Sequence, residues 1–353
     1  MSKLSLCLSA IVAATCVECS KLVLPSCPAA LAVGDFALKG KADLVRANWN
    51  ANTVGILLGD GAGGFSADRD FSTDQNPSSI VVGDFNEDGN PDLAVTNSGA
   101  NTVTILLGRG DGTFAPGARV TTDTTPWAVA AGDFNLDGQL DLAVTNWNAG
   151  TVSVLLGNGD GTFAPRRDYP TGANAGALAV DDYNNDHMPD LAVANYADNN
   201  VAILLGQGDG TFITGAAITT AAAPWAIAAA DLNADGRLDL VVANYGASTA
   251  SVFLGNGDGT FAPGSILAVG SGPHALVVAD FNQDGIADLV VANADSSTVS
   301  LLTGIGDGTF APRRDYPTGA NPVAVVAVPF AAALAPEVAV ANFIDGTVSL
   351  ITF

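Results

Sequence analysis

The chain has 353 residues, 48% of them hydrophobic, which is enough to bury a large core or to form two ordinary domains. Its 36 acidic residues outnumber its 13 Lys and Arg residues, and the formal net charge is −23. A polyanion of this kind repels nucleic acid and anionic lipid, so neither is an expected partner.

The N-terminal segment resembles an export signal. Lys3 is its lone positive charge, an apolar run covers residues 4–14, and small residues follow at Ala13, Ala14 and Thr15. The run is too short to cross a bilayer as a helix, and Gly, Asp and Asn interrupt every later apolar run, so no membrane span is expected. Residues 1–15 are therefore predicted to be a signal peptide, and the protein to be secreted or held at the cell surface. The alternative is an ordinary buried N-terminal segment.

All four cysteines lie near the N-terminus, at Cys7, Cys16, Cys19 and Cys27. No disulfide framework can therefore hold the rest of the chain together. Cys16 and Cys19 form a lone CxxC without a second pair, which argues against a zinc site. The sequence leaves open whether these cysteines pair with one another after export.

The remainder of the chain repeats one unit of 49 residues. The aspartate that opens a GDFN-like element recurs at this spacing in six units, at Asp35, Asp84, Asp133, Asp182, Asp231 and Asp280. A seventh step reaches Pro329, in an apolar stretch that has lost the acids. The units start near residues 29, 78, 127, 176, 225, 274 and 323.

Each unit contains four strand-like segments. In residues 127–175 these are WAVAAGDF, LAVTN, TVSVLLG and the more polar APRRDYP, separated by loops rich in Gly, Asp and Asn. Four short strands per unit match the four-stranded blade of a propeller. The sequence therefore predicts an all-β, seven-bladed β-propeller of four-stranded antiparallel blades, forming one domain over residues 16–353. A monomer is compatible with this fold.

The chain ends at Phe353, inside the third strand of the seventh unit, so the fourth strand of that blade is missing. The repeat aligns residues 21–24 (KLVL) with residues 315–318, which belong to a fourth strand. We therefore expect residues 17–24 to supply the outer strand of blade seven and to close the ring. Such closure removes an open strand edge, which would otherwise invite aggregation.

A D-x-N-x-D-G-x-x-D-L loop joins the first two strands in the second, third, fifth and sixth units, and blade four has His187 in place of the Gly. Calcium prefers six to eight hard oxygen ligands, which the side chains at loop positions 1, 3, 5 and 9 and the carbonyl at position 7 can supply. Five calcium ions are expected, one in each of blades two to six. The alternative is that Asp, Asn and Gly only form turns. The predicted ligands are Asp84, Asn86, Asp88, Asn90 and Asp92; Asp133, Asn135, Asp137, Gln139 and Asp141; Asp182, Asn184, Asp186, Met188 and Asp190; Asp231, Asn233, Asp235, Arg237 and Asp239; and Asp280, Asn282, Asp284, Ile286 and Asp288.

The first and last units have lost this loop chemistry. Blade one keeps Asp35 and Asp43 but carries Ala37 and Lys39, and the Lys39 ammonium is expected to lie between the two carboxylates. Blade seven has Pro329, Ala331 and Ala333 in the corresponding positions, so no ion is expected there. Because the loops occur on most blades and not at one cleft, the expected role of the calcium is structural.

The D-x-N-x-D-G-x-x-D-L loop and the G-x-G-D-G-T-F turn resemble the FG-GAP and VCBS repeat families, which include the calcium-binding propeller of integrin α-subunits. The resemblance covers nearly all of the chain past residue 28. It implies calcium in the loops between strands one and two, and ligands on the opposite face. The families also contain sugar-binding lectins and modules attached to enzymes, so the resemblance alone does not determine a function.

Aromatic residues collect in the loops of the face opposite the predicted calcium loops. Aromatic rings suit sugar rings and also protein partners, in which Trp and Tyr dominate binding hot spots. Packing against the blade core is the alternative, and the Asn residue that precedes the loop in every unit is expected only to end strand two. The candidate ligand-binding residues are Trp49, Trp127, Trp147, Tyr196, Trp225, Tyr245, His274 and Phe343.

These features predict an exported calcium-binding β-propeller that acts as a binding or adhesion module for a glycan or an extracellular protein. One alternative is a structural repeat module without a ligand of its own. Another is a polysaccharide-active enzyme that uses His274, one of only two histidines in the chain. The sequence shows no nucleophile–base set and no phosphate-binding loop, so catalysis is not the expected function.

Overall fold

The structure of the protein is a computed structural model, and it describes residues 19–23, 27–66, 69–328 and 337–353. Within these ranges the secondary structure consists of β-strands, and the order of the sheets is that of a propeller. No helix long and apolar enough to cross a membrane occurs in the part of the chain that the structure describes.

Seven four-stranded antiparallel sheets form the blades, and the strands take the following positions from the axis outwards. The first strands are β2 (Pro28–Gly34), β6 (Pro77–Gly83), β10 (Pro126–Gly132), β14 (Ala175–Asp181), β19 (Pro224–Ala230), β23 (Pro273–Ala279) and β27 (Pro322–Val328). The second strands are β3 (Asp43–Asn48), β7 (Asp92–Asn97), β11 (Asp141–Asn146), β15 (Asp190–Asn195), β20 (Asp239–Asn244), β24 (Asp288–Asn293) and β28 (Glu337–Asn342).

The outer half of each blade follows the same order. The third strands are β4 (Thr53–Leu57), β8 (Thr102–Gly108), β12 (Thr151–Leu155), β16 (Asn200–Gly206), β21 (Thr249–Gly255), β25 (Thr298–Leu302) and β29 (Thr347–Ile351). The outermost strands are β5 (Arg69–Ser72), β9 (Phe114–Thr121), β13 (Arg167–Pro170), β17 (Phe212–Thr214) with β18 (Ile218–Thr219), β22 (Phe261–Ala268), β26 (Arg314–Pro317) and β1 (Cys19–Val23).

The first strands contact one another in sequence around the axis, and β27 contacts β2, which closes the ring. The sheet of blade seven has the order β1-β29-β28-β27, so the N-terminal strand supplies its outer edge. Lys21 pairs with Ser349, as Asp315 pairs with Ser300 in blade six. Both the seven-bladed fold and its closure by the N-terminal strand are therefore confirmed, in the register that the repeat predicts.

The hydrophobic core lies between neighbouring blades. The second strands of blades one to six are buried at every position, because each is covered on both faces by adjacent sheets. One cluster, for example, joins Val45 and Val54 of blade one to Leu93 and Val95 of blade two. This shared packing fixes the orientation of each blade relative to the next, and therefore positions the loops on both faces.

Blade one differs from the others at Arg46, which is 0% exposed. The corresponding residue is valine in the other six blades, at Val95, Val144, Val193, Val242, Val291 and Val340. Gly55 pairs with Arg46 across the strands, and a Cβ atom at Gly55 would lie 2.8 Å from the guanidinium. The guanidinium donates to Asn48 Oδ1 and lies 3.6 Å from Asp70 Oδ1. Gly55 thus leaves the space that this buried cation occupies.

Candidate functional site

The five loops between the first and second strands of blades two to six, residues 84–92, 133–141, 182–190, 231–239 and 280–288, are here called the acidic loops. In blade two, the Asp84 carboxylate accepts hydrogen bonds from the N–H groups of Asp88 (3.1 Å) and Gly89 (2.8 Å). Asn86 donates to Asp88 Oδ2 at 3.0 Å, and Asp88 Oδ1 accepts from Asn90 N–H at 2.8 Å. These bonds hold the side-chain oxygens of positions 1, 3 and 5 against the backbone of the loop. The same bonds recur in the other four acidic loops.

The aspartate at position 9 anchors each acidic loop to its blade. Asp92 is fully buried and accepts hydrogen bonds from Phe85 N–H (2.9 Å) and Gly108 N–H (2.7 Å). Burial, with smaller contributions from the charges of Asp88 and Asp84, raises the pKa of Asp92 to about 6. The pKa values of Asp141 and Asp190 are also raised to about 6, chiefly by burial. A bound cation would favour the charged forms of these carboxylates.

Blade four retains the loop geometry although His187 replaces the glycine. His187 has φ +66°, in the left-handed region that glycine adopts at this position in the other acidic loops. The His187 N–H still donates to Asp182 Oδ2 at 2.7 Å. At the equivalent Gly138 an added Cβ atom would meet no neighbour within 4 Å, so a side chain fits and only the backbone conformation is strained.

Blade five places a basic side chain against its acidic loop. Arg237, at position 7, donates from its guanidinium to Asp235 Oδ2 at 2.5 Å. The carbonyl oxygen of Arg237 is one of the predicted calcium ligands. Its guanidinium, however, binds the Asp235 carboxylate, which a calcium ion would also need. This loop is therefore expected to bind a cation more weakly than its neighbours.

The loop of blade one keeps only part of this arrangement. Asp35 accepts from Lys39 N–H at 2.8 Å and from Gly40 N–H at 2.6 Å, as Asp84 does from its loop. The Lys39 side chain is exposed and takes part in none of the ion pairs among the described residues, so it does not lie between Asp35 and Asp43 as expected. Pro329, Ala331 and Ala333 of blade seven lie outside the described residues.

The acidic loops supply oxygen ligands of the type that calcium prefers, with three carboxylates, one amide and one main-chain carbonyl each. Within the described ranges, no three His, Cys, Asp or Glu side chains are grouped as ligands of one metal ion. Each oxygen of a carboxylate has two lone pairs, so the main-chain bonds at Asp92 leave capacity for a cation. Calcium in these loops stays a prediction.

The acidic loops of blades two to five, and the corresponding loop of blade one, are each tied to the next blade. In the turn between the third and fourth strands of blade three, Gly161 N–H donates to Phe85 O in the loop of blade two at 2.8 Å. Gly161 has φ +79°, which few other residues adopt, so the glycine of the GDG turn is needed for this contact. Equivalent bonds join Gly112 to Phe36, Gly210 to Phe134, Gly259 to Tyr183 and Gly308 to Leu232. The loop face is therefore connected from blade to blade.

The eight candidate ligand-binding residues lie at the opposite ends of the blades, and we call this surface the aromatic face. All eight are partly exposed. Trp127 contacts Trp49, Trp147 and Trp225, with ring centroids 5.8, 5.6 and 5.9 Å away. Trp225 in turn contacts Tyr196 at 5.3 Å, Tyr245 at 5.8 Å and His274 at 4.7 Å. The structure thus brings residues from five blades into one group of rings.

Small residues allow the rings to meet across blades. In four of the units the first-strand position that begins the inner wall holds Ala29, Ser78, Gly176 or Val323, whereas Trp127, Trp225 and His274 occupy it in the others. A Cβ atom at Gly176 would lie 3.5 Å from the ring of Trp147, so this tryptophan packs over the glycine of the next blade. The smaller residues at this position leave space into which the rings of neighbouring blades extend, as Trp147 does over Gly176.

A cavity of about 460 Å³ opens at the centre of the aromatic face, and we call it the axial pocket. First strands of all seven blades contribute to its wall, because they surround the propeller axis. Five of the eight candidate residues line it, namely Trp49, Trp127, Trp225, His274 and Phe343. Trp147, Tyr196 and Tyr245 pack outside this inner group.

His274 is held as a neutral imidazole. Its Nδ1 lies 2.9 Å from the carbonyl oxygen of Val323 in the next blade, so Nδ1 carries the hydrogen and donates. Burial lowers the pKa of His274 from 6.5 to about 4, and the opposing effect of the Asp295 charge is smaller. At neutral pH the imidazole therefore presents only the Nε2 lone pair to other groups.

The asparagine that precedes this face in every blade does not reach its surface. Asn48, Asn97, Asn146, Asn195, Asn244, Asn293 and Asn342 are all 0% exposed. In blade three, for example, the side-chain amide of Asn146 donates to Ser153 at 2.9 Å and to Thr151 at 3.1 Å on strand three. These asparagines end the second strand, as expected, and supply no amides to a ligand.

Asp295 belongs to the aromatic face but was missing from the predicted set. Its Oδ1 lies 3.2 Å from the hydroxyl of Tyr245, which donates to it. The other six units have Asn, Gly, Ala or Ile at this loop position, so the acid is an exception that repeat alignment displays. Its role depends on a contact with another blade, which alignment alone does not reveal.

Comparison with known proteins agrees with this architecture. No curated protein matches the chain. Among solved structures, virginiamycin B lyase from Staphylococcus aureus superposes with a TM-score of 0.66 at 14% identity, covering 96% of this chain and 99% of that protein. BBS1N in complex with ARL6DN gives a TM-score of 0.67 at 14% identity, with 93% of each chain covered. The periplasmic gluconolactonase PpgL of Pseudomonas aeruginosa gives 0.61 at 19% identity, with 83% of this chain and 86% of that protein covered.

At such low identities the likeness concerns the fold alone. The sequence family is more specific, since the profile of the FG-GAP-like repeat matches residues 35–95, 84–144, 133–193, 182–242, 231–291 and 280–331. These matches begin at the aspartates that open the loops, and together they span most of the chain. The protein is a member of the FG-GAP-like repeat family.

Proposed function

We propose that the protein is a calcium-stabilised binding module that recognises a partner protein through its aromatic face. The observation that carries the proposal is the group of contacting, partly exposed rings around the axial pocket. Exposed aromatic rings keep apolar surface in contact with water, which is unfavourable unless a partner covers them, and large exposed apolar patches generally mark interaction sites. Tryptophan and tyrosine contribute disproportionately to such interfaces.

A protein partner is favoured over a glycan by the polar groups of this face. Sugar hydroxyls need several hydrogen-bonding side chains beside the rings. The asparagines that end the second strand of every blade are buried and bonded to their own blades, so they cannot serve. The side-chain polar groups that line the axial pocket are those of Ser78, Ser79, Asn321 and His274, and the rest of the wall is aromatic or aliphatic apart from Trp indole N–H groups. The propeller BBS1N, which has the same fold, is known in a complex with ARL6DN.

The proposal assigns calcium to the acidic loops. The proposal is supported by the hydrogen bonds of Asp84, Asn86 and Asp88, which hold their oxygen atoms within one loop, and by the effect of the Asp88 and Asp84 charges on the pKa of Asp92. In blade two, Asp84, Asn86, Asp88 and Asp92 would hold the ion together with the Asn90 carbonyl. Bound calcium would supply the positive charge that these carboxylates lack, and would stabilise the folded state by binding it preferentially.

Export forms the last part of the proposal, and it follows from the signal-like residues 1–15. Expression of the full chain in a secreting host, followed by N-terminal sequencing of the exported protein, tests it. A mature N-terminus close to residue 16 is expected. Retention of Met1 on protein that stays inside the cell would contradict export without affecting the binding proposal.

The binding proposal is tested with a panel of extracellular proteins and a glycan array, each probed with the wild type and with Trp147→Ala and Trp225→Ala variants. Binding to a protein that falls at least tenfold in both variants is the expected result. Ile266→Ala, which removes a 71% exposed side chain from an outer strand, is the matched control and should bind normally. Binding to glycans alone, or protein binding that is unchanged by both tryptophan variants, would overturn the proposal.

A further inference from the structure

The axial pocket has walls of mutually tilted rings. The ring planes of Trp49 and Trp127 are inclined by 62°, those of Trp127 and Trp225 by 87°, and those of Trp225 and His274 by 45°. Phe343 lines the same pocket from blade seven. These edge-to-face and tilted contacts give the pocket wall rings in several orientations around one space, and a π-face that is turned towards an organic cation attracts it.

The charge of the aromatic face favours a positive ligand. The loops of this face comprise residues 49–52, 98–101, 147–150, 196–199, 245–248, 294–297 and 343–346, with 73–76, 122–125, 171–174, 220–223, 269–272 and 318–321. They contain five aspartates, Asp74, Asp123, Asp198, Asp295 and Asp345, and no Lys or Arg. Asp74 is paired with Arg119 of β9, so the net charge of the face comes from the other four aspartates, which repel an anion and attract a cation from a distance.

One of these acids lies beside the pocket. Asp295 accepts the hydrogen bond of Tyr245, whose ring centroid is 6.4 Å from that of His274 in the pocket wall. His274 does not oppose a cation at neutral pH, because burial keeps its pKa near 4 and its imidazole uncharged. The wall therefore combines π-faces with one nearby carboxylate and no resident positive charge.

The lining also indicates what kind of cation fits. Ammonium and guanidinium groups carry N–H donors that must find acceptors when they leave water. Apart from Ser78, Ser79, Asn321 and the His274 lone pair, the pocket offers rings and aliphatic side chains such as Val323. A quaternary ammonium group has no N–H donors, so it loses no hydrogen bonds on entering such a wall.

We propose that the axial pocket binds a quaternary ammonium group, held by cation–π attraction to Trp49, Trp127 and Trp225 and by the charge of Asp295. This inference names the ligand chemistry at the centre of the proposed binding face, and so it rests on the proposed function. A trimethylammonium group reaches the pocket either on a free molecule such as choline or on a trimethylated lysine of a partner protein.

Choline and its neutral isostere dimethylbutanol, in which carbon replaces the charged nitrogen, give the direct test. All four tryptophans of the chain, Trp49, Trp127, Trp147 and Trp225, lie on the aromatic face, so fluorescence excited selectively at tryptophan reports on this face alone. We expect choline to change the fluorescence saturably and to bind roughly tenfold or more tightly than the isostere. Equal binding of the two compounds, or no binding of choline at the highest concentration that the assay allows, would overturn the inference.

Fluorinated tryptophan provides a second test that leaves the shape of the pocket nearly unchanged. Fluorine withdraws electron density from the ring face, so choline affinity should fall stepwise as fluorine atoms are added. An affinity that does not depend on fluorination contradicts a cation–π role. This readout is informative even if Trp127→Ala or Trp225→Ala fails to fold.

The Asp295→Asn variant separates the contribution of Asp295 from the general negative charge of the face. The matched control is Asp198→Asn, which removes one negative charge from another loop of the same face. Only Asp295→Asn should weaken choline binding severalfold, and the loss should shrink at high salt. Equal effects of the two variants would leave the general field of the face as the cause and contradict a role for Asp295.

Peptides carrying either lysine or trimethyllysine distinguish the two sources of the ammonium group. Preference for the trimethylated peptide over the unmodified one supports a modified protein partner, whereas binding of choline alone supports a free molecule. Loss of choline binding in fluorotryptophan protein with intact partner binding would separate the two proposals. If choline fails to bind while a partner protein still docks on the rings, the ammonium inference is wrong and the proposed function stands.

Discussion

His274 and Trp225 lie with their ring centroids 4.7 Å apart, and His274 Nδ1 donates to Val323 O at 2.9 Å. Burial places the pKa of His274 at about 4, below its ordinary value of 6.5. The unfolded chain therefore binds a proton here more readily than the folded one. The stability that neutral His274 contributes is complete above pH 6.5 and is lost as the pH falls towards 4.

A His274→Gln variant isolates this effect from the titration of the many aspartates. The difference in unfolding free energy between wild type and variant, measured by urea denaturation, should be constant above pH 7 and should decline between pH 6.5 and pH 4. The histidine NMR signal should titrate near pH 4 in the folded protein. A signal that titrates at an ordinary value would contradict the lowered pKa of His274.

The acidic loops predict a calcium dependence of stability. Asp137 supplies loop position 5 in blade three, and we expect the Asp137→Ala variant to bind one calcium ion fewer than the wild type in equilibrium dialysis. Its melting temperature in excess calcium should be lower, because ligand binding stabilises the folded state. Asp160→Ala removes an exposed carboxylate from a neighbouring turn and should bind the same number of ions as the wild type. A wild-type melting temperature that is indifferent to chelator would contradict bound calcium.

Arg46 and Gly55 predict a non-additive pair of substitutions. Arg46→Val removes the donor to Asn48 and leaves space opposite Gly55, so it should cost about 1–3 kcal/mol of stability. Gly55→Ser alone brings a side chain against the guanidinium and should also destabilise. The double variant has the Val and Ser combination found in several other blades and should recover most of the loss. Additive losses in the four-member cycle would show that the two positions do not depend on each other.

Tyr183 predicts a stabilising substitution. Tyr183 is 2% exposed, and its hydroxyl has no hydrogen-bond partner among the described residues. Phenylalanine occupies the same loop position in blades one, two, three and six, at Phe36, Phe85, Phe134 and Phe281. Tyr183→Phe removes the buried, unpaired hydroxyl and should raise the free energy of unfolding by about 1 kcal/mol. A loss of stability in thermal and urea unfolding would reveal a partner for that hydroxyl.

The closing strand β1 predicts how truncation acts. A chain that starts at Cys27 lacks β1 and exposes the edge of β29, so it should unfold at lower urea concentration and aggregate more readily. A chain that starts at Cys16 retains β1 and is the control. A synthetic peptide covering residues 16–26 should restore stability to the shorter chain by adding the strand back. Equal stability of the two truncated chains would mean that β1 contributes little to closure.

Much of the fold was predictable because the repeat never changes length. A constant spacing of 49 residues predicts the same blade each time, and the shortened last unit predicts a missing outer strand. The alignment of Lys21 with Asp315 even predicts the register in which β1 pairs. The local strand pattern and the overall closure of the ring agree, which is the condition under which a sequence specifies one structure.

The arrangement of the faces was predictable only in part. Repeat alignment places the aromatic residues at one end of the blades, but it does not show that Trp49 reaches Trp127 past the small residue Ser78. Contacts between blades depend on the size of side chains that are far apart in sequence. For the same reason alignment places Lys39 within the loop of blade one, but it does not show that the Lys39 side chain turns towards solvent.

The antiparallel pairing of β1 with β29 has a mechanical consequence. Cys19 lies opposite Ile351 and Val23 lies opposite Thr347, so the start of β1 and the end of β29 meet at the same place on the rim. A tensile force applied between those two points loads the hydrogen bonds one after another, as in opening a zipper, and not all at once in shear. The ring should therefore open at low force from this blade, whereas the other six blades are held by continuous chain.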